Sequence, residues 1–168
     1  MMMKNMIITF LVPVFFAAAC KKNEQPDVVV LDTEMDISIS NAEGIDLLNP
    51  QTSGYIKAED VDIYILKNGV KEKVFKASAD HPENFFIFKA EPTALYLNPG
   101  TYYMRLFLNT NTNAENISIT YLEIKGHGTD TITAYVSQKP GVTAITKVWF
   151  NGDLKWNGDS YHTFEIIK

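Results

Sequence analysis

The sequence predicts an all-β fold, a single antiparallel β-sandwich of about seven to nine strands. Short segments alternate between apolar and polar residues, which is the period of a strand with one face in a core and the other in water. Asn-Gly and Pro-Gly pairs separate several of these segments, and both pairs favour tight turns. After the first thirty residues, no run of about ten residues has the spacing of an amphipathic helix. These patterns indicate a sandwich or a barrel, and we expect a sandwich over residues 31–168.

The alternation defines the predicted strands in order. The strand-like segments are "EMDISIS" (34–40), "VDIYILKNGVKEKVF" (61–75), "FFIFKA" (85–90), "TYYMRLFLN" (101–109), "NISITYLEIK" (116–125), "TDTITAYVSQ" (129–138), "VTAITKVWF" (142–150) and "YHTFEIIK" (161–168). Their apolar alternate positions should face the core. The core-facing positions that this predicts include Met35, Ile37, Ile39, Tyr102, Met104, Leu106, Leu108, Ile132, Ala134, Val136, Phe164 and Ile166.

Two Asn-Gly pairs predict hairpins. Asn68-Gly69 lies inside the segment 61–75, and Asn151-Gly152 follows the segment 142–150. Asn and Gly readily take the positive φ that a type I′ turn requires. Pro140-Gly141 should make a further turn.

One segment breaks its own alternation. In "NISITYLEIK", Ile117, Ile119 and Tyr121 share one face, and the apolar positions then move to Leu122 and Ile124. A β-bulge, or a strand that is covered on both faces, would explain the change.

The segment "LYLNPGTYYMRL" (95–106) adds a resemblance. Leu97, Pro99, Gly100 and Tyr102 resemble a signature of extracellular β-sandwich modules, including the prealbumin-like and immunoglobulin-like repeats of bacterial surface proteins. The resemblance implies a fold and no activity. Pro99 and Gly100 would set a tight turn, and Tyr102 would enter the core with its hydroxyl free to bond a nearby loop carbonyl.

The first nineteen residues predict a cleaved signal peptide. Lys4 gives a positive start, and residues 6–19 are apolar except for Thr9 and Pro13. As a helix this run would span about 21 Å, which is short of a hydrocarbon core of about 30 Å. A charged start, a short apolar middle and small residues at the end are typical of secretory signal peptides.

The only cysteine of the chain, Cys20, follows three alanines. The segment Ala17-Ala18-Ala19-Cys20 resembles the lipobox of bacterial lipoproteins, although Ala17 stands where leucine is usual. The resemblance implies diacylglycerol on the Cys20 thiol, cleavage before Cys20, and a tether over residues 20–30. Two or more acyl chains anchor a protein stably. Lys21, in place of the aspartate that retains such proteins in the inner membrane, favours the outer membrane. The alternative is ordinary signal-peptide cleavage, which would leave the Cys20 thiol unmodified and without a function.

Charge and composition limit the partners. The net charge is −5, and removing residues 1–19 takes away Lys4 alone among the charged side chains, which leaves −6. This sign disfavours nucleic acid and anionic lipid surfaces, so the acyl chains would have to attach the protein to its membrane. With Cys20 acylated, no disulfide can form.

The sequence holds no recognisable catalytic, metal or cofactor motif. The three histidines, His81, His127 and His162, lack the i, i+4 spacing of a metalloprotease helix. There is no Gly-x-Ser-x-Gly elbow and no phosphate-binding glycine loop. Two groups of carboxylates each share one side of a predicted strand: Asp32, Glu34 and Asp36, and Asp60 and Asp62. We interpret them as solvated faces, or as charged sheet edges that discourage aggregation, rather than as a calcium site. We therefore expect no enzyme, no metal and no cofactor.

Aromatic residues are the better candidates for binding. Tyr103 should lie opposite the core face of its strand, and Trp149 should lie opposite Val148. Trp156, in the polar stretch "NGDLKWNGD", is the ring that we most expect to contact a ligand. Exposed rings could stack on sugars or meet a protein. "DTI" resembles the Asp-Ser/Thr-aliphatic site of bacterial O-glycosylation, which would place a glycan on Thr131.

Three functions remain open from the sequence. The first is a lipid-anchored, non-catalytic binding or accessory module for glycan or envelope polymer. The second is a structural subunit of a cell-surface protein assembly, for which a strand donated or accepted at a sheet edge would be diagnostic. The third is a hydrolase with an unrecognised site, for which a deep pocket holding two histidines and a carboxylate would be diagnostic.

Overall fold

A computed structural model describes residues 30–168 of the chain. Cys20, the signal peptide and most of the tether lie outside these described residues. The described part has eleven strands and one short 3-10 helix, Ala58–Asp60. The strands are β1 (Val30–Asp32), β2 (Glu34–Ser40), β3 (Val61–Lys67), β4 (Val70–Lys73), β5 (Phe85–Lys89), β6 (Tyr102–Phe107), β7 (Ile117–Ile124), β8 (Gly128–Lys139), β9 (Val142–Phe150), β10 (Asp153–Trp156) and β11 (Thr163–Ile167).

The strands form two sheets. The large sheet has the order β1-β9-β8-β7-β3-β4, with β10 also paired to β9, and the small sheet has the order β11-β2-β6-β5. The predicted all-β, sandwich-like fold is confirmed. Two details differ from the expectation: the strands are more numerous, and the sheets are mixed, because β1 pairs with β9 and β11 pairs with β2 in parallel.

One hydrophobic core joins the two sheets. The small sheet contributes alternate residues of β2, β6 and β11, such as Ile37, Met104 and Ile166, and the large sheet contributes residues such as Leu122 and Val136. These side chains are almost completely buried. The period-two alternation of the sequence is therefore the cause of the two-layer arrangement.

The turns follow the sequence closely. Asn68-Gly69 joins β3 to β4, and Asn151-Gly152 joins β9 to β10, with positive φ at all four residues. Both predicted hairpins are confirmed. Pro140-Gly141 joins β8 to β9.

Strand β7 contains no bulge. It pairs with β3 and β8 without a register shift, and its core face carries Ser118 and Thr120 followed by Leu122 and Ile124. Thr120 remains in the core because its Oγ1 accepts a hydrogen bond from the Asn109 backbone N–H at 3.0 Å. Register shifts occur instead where β9 pairs with β8, between Tyr135 and Val136, and where β10 pairs with β9, between Leu154 and Trp156.

Candidate functional site

The outer face of the small sheet, which points away from the core, divides into a polar half and an aromatic half. Register pairs place Asp36 of β2 beside Arg105 of β6, and Arg105 beside Phe86 of β5. Residues two positions apart share a face of a strand. The polar half therefore comprises Glu34, Asp36, Ser38, Ser40, Thr163 and Glu165, and the aromatic half comprises Phe86, Phe88, Tyr103 and Phe107.

A buried ion pair lies at the boundary between the two halves. Arg105 donates two hydrogen bonds to the carboxylate of Asp36, Nε to Oδ1 and Nη2 to Oδ2, each at 2.8 Å. Asp36 is 2% exposed, so the expectation that its carboxylate is solvated was wrong. A bidentate arginine satisfies a carboxylate that the strand pairing removes from water. Hydrogen bonding to Asp36 raises the pKa of Arg105, which stays charged.

Tyr161, just before β11, extends this network. Its hydroxyl donates to Asp36 Oδ2 at 3.3 Å and accepts from Arg105 Nη2 at 3.2 Å. Burial, followed by the charge of Asp36, raises the pKa of Tyr161 above its usual value. The phenol is therefore neutral and held in place at neutral pH.

The loop between β5 and β6, residues 90–101, folds over the same face. Tyr96 of this loop stacks on Tyr161 with ring centroids 5.1 Å apart and an interplanar angle of 14°. Tyr96 as a whole residue is nevertheless 66% exposed. The Asn98 backbone N–H donates to the hydroxyl of Tyr103 at 3.1 Å. These contacts fix an exposed ring above a strand surface.

The same loop corrects the expected roles of two tyrosines. Tyr103 was expected to be exposed, but it is 4% exposed because the loop and Phe88 cover it. The hydroxyl that bonds the loop belongs to Tyr103 and not to Tyr102. Tyr102 packs only partly against the core, and its backbone N–H donates to Asp46 Oδ2 at 2.9 Å.

Below Tyr96 lies a groove of about 350 Å³, which we call the Tyr96 groove. The aromatic residues that line it are Tyr96, Tyr103 and Phe164. The polar residues of the lining are Ser38, Ser40, Asp46, Asn98, Thr101, Thr163 and Glu165. Ser40 Oγ donates to Glu165 Oε1 at 2.6 Å. Within the described residues, the second oxygen of Glu165 has no protein partner, so it can accept a hydrogen bond from a ligand.

The chemistry of this groove suits a hydroxyl-rich ligand. A flat exposed ring can stack on an apolar sugar face, while serine, threonine, asparagine and glutamate side chains can exchange hydrogen bonds with hydroxyl groups. Pockets for small molecules commonly combine an apolar surface with a few polar groups. A larger groove, of about 540 Å³, lies at the β3–β4 turn and is lined by Asn68, Asn111, Asn113 and Gln138 among others. No aromatic ring lines that groove, and we therefore favour the Tyr96 groove.

Trp156 is placed differently from the expectation. It is 5% exposed, and its Nε1 donates to the Ser160 carbonyl at 3.0 Å. Its ring packs edge-on against the His162 ring, with the ring centroids 4.4 Å apart. The expected exposure of Trp156 was wrong, because the segment after β10 folds back and covers the ring. Any ligand contact by Trp156 or Tyr103 stays a prediction, and little of either ring is accessible.

Trp149 and Thr131 lie together on the outer face of the large sheet. Trp149 is partly exposed beside Thr133 of β8 and Leu154 of β10, on the face opposite Val148 as expected. Thr131 lies beside Tyr121. Neither residue lines the Tyr96 groove. The glycan on Thr131 stays a prediction, and acylation of Cys20 lies outside the described residues.

Tyr96, Ser38 and Glu165 line the groove but were not among the predicted site residues. Ser38 was detectable, because it alternates with Ile37 and Ile39 on a strand with one apolar face. Tyr96 was not, since its importance depends on a loop crossing to Tyr161.

The histidines do not meet in one place. His81 stacks on Phe86 at 4.1 Å, and His162 Nδ1 lies 3.2 Å from Asp32 Oδ1. Among residues 30–168, no group of three histidine, cysteine, aspartate or glutamate residues is arranged to hold a metal ion. The lining of the Tyr96 groove includes no histidine.

No protein-family model, curated protein or solved structure matches this chain. Over the described residues, the search for a helix with the length and apolarity to cross a membrane finds none.

Proposed function

We propose that this chain is a lipid-anchored, non-catalytic binding module of the bacterial cell envelope, and that the Tyr96 groove binds a glycan. The observation that carries the proposal is the exposed Tyr96 ring, held by stacking on Tyr161 beside a strip of hydroxyl and carboxylate groups. A ring that is fixed before binding loses less entropy when the ligand arrives. The lipobox-like segment ending at Cys20 supports the anchor, with the outer membrane as its proposed location.

Direct binding tests the groove. The full chain is to be probed with β-glucan, mannan, chitin, alginate and peptidoglycan fragments by isothermal titration calorimetry. Tyr96→Ala should weaken binding about tenfold, which corresponds to about 1.4 kcal/mol. Phe75→Ala is the matched control, since Phe75 is 67% exposed, close to the value for Tyr96, and does not line the groove. Equal losses for the two variants, or no binding of any glycan, would refute the proposal.

Cell fractionation tests the anchor. Cys20→Ala should move the protein from the membrane fraction to the soluble fraction, because acyl chains would be its main membrane contact. A variant that remains fully bound to the membrane would contradict this part of the proposal while leaving the glycan site untouched.

A further inference from the structure

The larger groove, at the β3–β4 turn, carries polar atoms that the fold does not use. It measures about 540 Å³, within the range of roughly 300–1,000 Å³ that is typical of small-molecule sites, and we call it the amide groove. The side-chain amides that line it are those of Asn68, Asn111, Asn113 and Gln138, and no charged residue lines it. Its strand residues come from β3, β7 and β8 of the large sheet, whereas those of the Tyr96 groove come from β2, β6 and β11 of the small sheet. The two grooves are therefore separate sites.

The apolar part of the amide groove involves the broken alternation of β7. Ile117 and Ile119 line the groove on the outer face of the strand, while Ser118 and Thr120 are buried on the core face. Ser118 Oγ is buried without a hydrogen-bond partner among the described residues, and burying an unpaired hydroxyl lowers stability. Folding alone would favour the opposite arrangement, with isoleucine inside and serine outside. This placement therefore points to a contact that the two isoleucines make outside the core.

Hydrogen bonds within the chain hold two of the amides in place. Asn109 is 3% exposed, and its Nδ2 donates to three backbone carbonyls at 2.9, 3.1 and 3.3 Å. Its Oδ1 accepts from Asn111 Nδ2 at 2.8 Å, and Gln138 Nε2 donates to the Thr110 carbonyl at 3.4 Å. Each contact uses the nitrogen of a side-chain amide. The oxygens, Asn111 Oδ1 and Gln138 Oε1, have no partner among the described residues and can accept from a ligand.

The Asn113 amide supplies a free donor, as a comparison with a second turn of the chain shows. The segments "NAEGI" (41–45) and "NAENI" (113–117) form the same turn, in which the Oδ1 of the first asparagine accepts the backbone N–H groups two and four residues later, at 2.9 or 3.0 Å. In the first turn, Asn41 Nδ2 also donates to Glu43 at 3.0 Å. Over residues 30–168, Asn113 Nδ2 has no such partner, although a glutamate stands at the same position. The groove thus offers a donor and two acceptors that are held before a ligand arrives.

This combination selects the class of ligand. A side-chain amide has the donor and the acceptor of a peptide group, so a set of amides can pair with peptide backbone. The aliphatic side chains suit an aliphatic side chain, and the lining has no charge to satisfy an ionised group that is removed from water. No aromatic ring is present to stack on a sugar. We infer that the amide groove is a second binding site, which takes a short, uncharged peptide segment and packs one of its aliphatic side chains on Ile117 and Ile119.

A titration followed by NMR tests this inference, because the side-chain amide signals report directly on the groove. The probes are blocked tetrapeptides that contain alanine at every position except the second, which is leucine, isoleucine, valine, aspartate or lysine. Added to the isotope-labelled full chain, the three aliphatic peptides should shift the side-chain NH₂ signals of Asn111, Asn113 and Gln138. The aspartate and lysine peptides should bind at least about tenfold more weakly.

Asn113→Asp tests the free donor. Its carboxylate can still accept the backbone N–H groups of Glu115 and Ile117, so the turn is kept, but an oxygen replaces Nδ2. The affinity for the leucine peptide should fall about tenfold. Asn41→Asp is the matched control, because it makes the same change in the matching turn outside the groove, and the affinity should be unchanged. Ile119→Thr, which keeps a β-branched residue on the outer face of β7, should weaken binding of the leucine peptide as well.

Several results would overturn the inference. These are equal losses of affinity in Asn113→Asp and Asn41→Asp, unchanged affinity in Ile119→Thr, and binding of the charged peptides as tight as that of the aliphatic ones. Absence of any shift with the peptides would also overturn it, as would cellotetraose shifting the same signals in their place, since the groove would then be a sugar site. Each result would leave the Tyr96 groove untouched, because no residue lines both grooves.

Discussion

Arg105→Met should lower the free energy of unfolding by about 3–5 kcal/mol, since it leaves a buried carboxylate without its counter-ion. Asp36 is 2% exposed and accepts two hydrogen bonds from Arg105 at 2.8 Å. After the substitution its carboxylate keeps only the hydroxyl of Tyr161, at 3.3 Å. Asp36→Asn should cost less, about 1–2 kcal/mol, because the remaining guanidinium is 23% exposed and keeps Glu34 nearby.

Urea unfolding followed by tryptophan fluorescence measures these losses. For a chain of this size, the loss in Arg105→Met should appear as a fall in Tm of about 10 °C. The double variant Asp36→Asn/Arg105→Met should lose less than the sum of the two single variants, because the second change removes a charge that the first had stranded. A loss of at most about 1 kcal/mol in Arg105→Met would place this contact among ordinary surface ion pairs and refute the reasoning.

Two further predictions concern the tyrosines of the same face. Tyr103→Ala should lower the free energy of unfolding by about 3–5 kcal/mol, because Tyr103 is 4% exposed. Tyr102→Ala should lower it by less, because Tyr102 is only partly buried. Equal losses for the two variants in urea unfolding would contradict this prediction. The raised pKa of Tyr161 means that the folded protein keeps this proton above pH 10.0, where the unfolded chain releases it. This contribution to stability is present below pH 10.0 and is lost as the pH rises through the raised pKa. Tyr161→Phe should therefore lose less stability over that alkaline range, and unfolding curves on both sides of pH 10.0 measure the difference.

Strand faces could be predicted from the sequence because they depend on local alternation. Met35, Ile37 and Ile39 lie in the core as expected, and both Asn-Gly turns are present. The parallel pairing of β11 with β2 could not be predicted in this way. It joins segments more than a hundred residues apart, and no local pattern encodes that partnership.

The errors about single residues have the same origin. Asp36 was expected on a solvated strand face, and the prediction contained nothing to show that β2 and β6 are neighbours, which brings Arg105 beside it. That adjacency turns two solvated charges into a buried pair. Trp156 lies in a polar stretch, and its burial depends on a backbone carbonyl, that of Ser160, which closes over the indole. The burial of the ion pair therefore depends on a contact between distant strands, and the burial of Trp156 depends on a contact with a loop.

The buried ion pair also bears on why this face should bind something. Well-packed apolar residues often replace a buried ion pair with no loss of stability, so a sandwich that only needed to fold could dispense with it. Here Asp36 and Arg105 hold the hydroxyl of Tyr161, and Tyr161 holds Tyr96. The double variant Asp36→Leu/Arg105→Leu should thus keep most of its stability but bind glycan more weakly, because Tyr96 loses its fixed support. If calorimetry shows unchanged affinity in a folded double variant, the ion pair serves the fold alone.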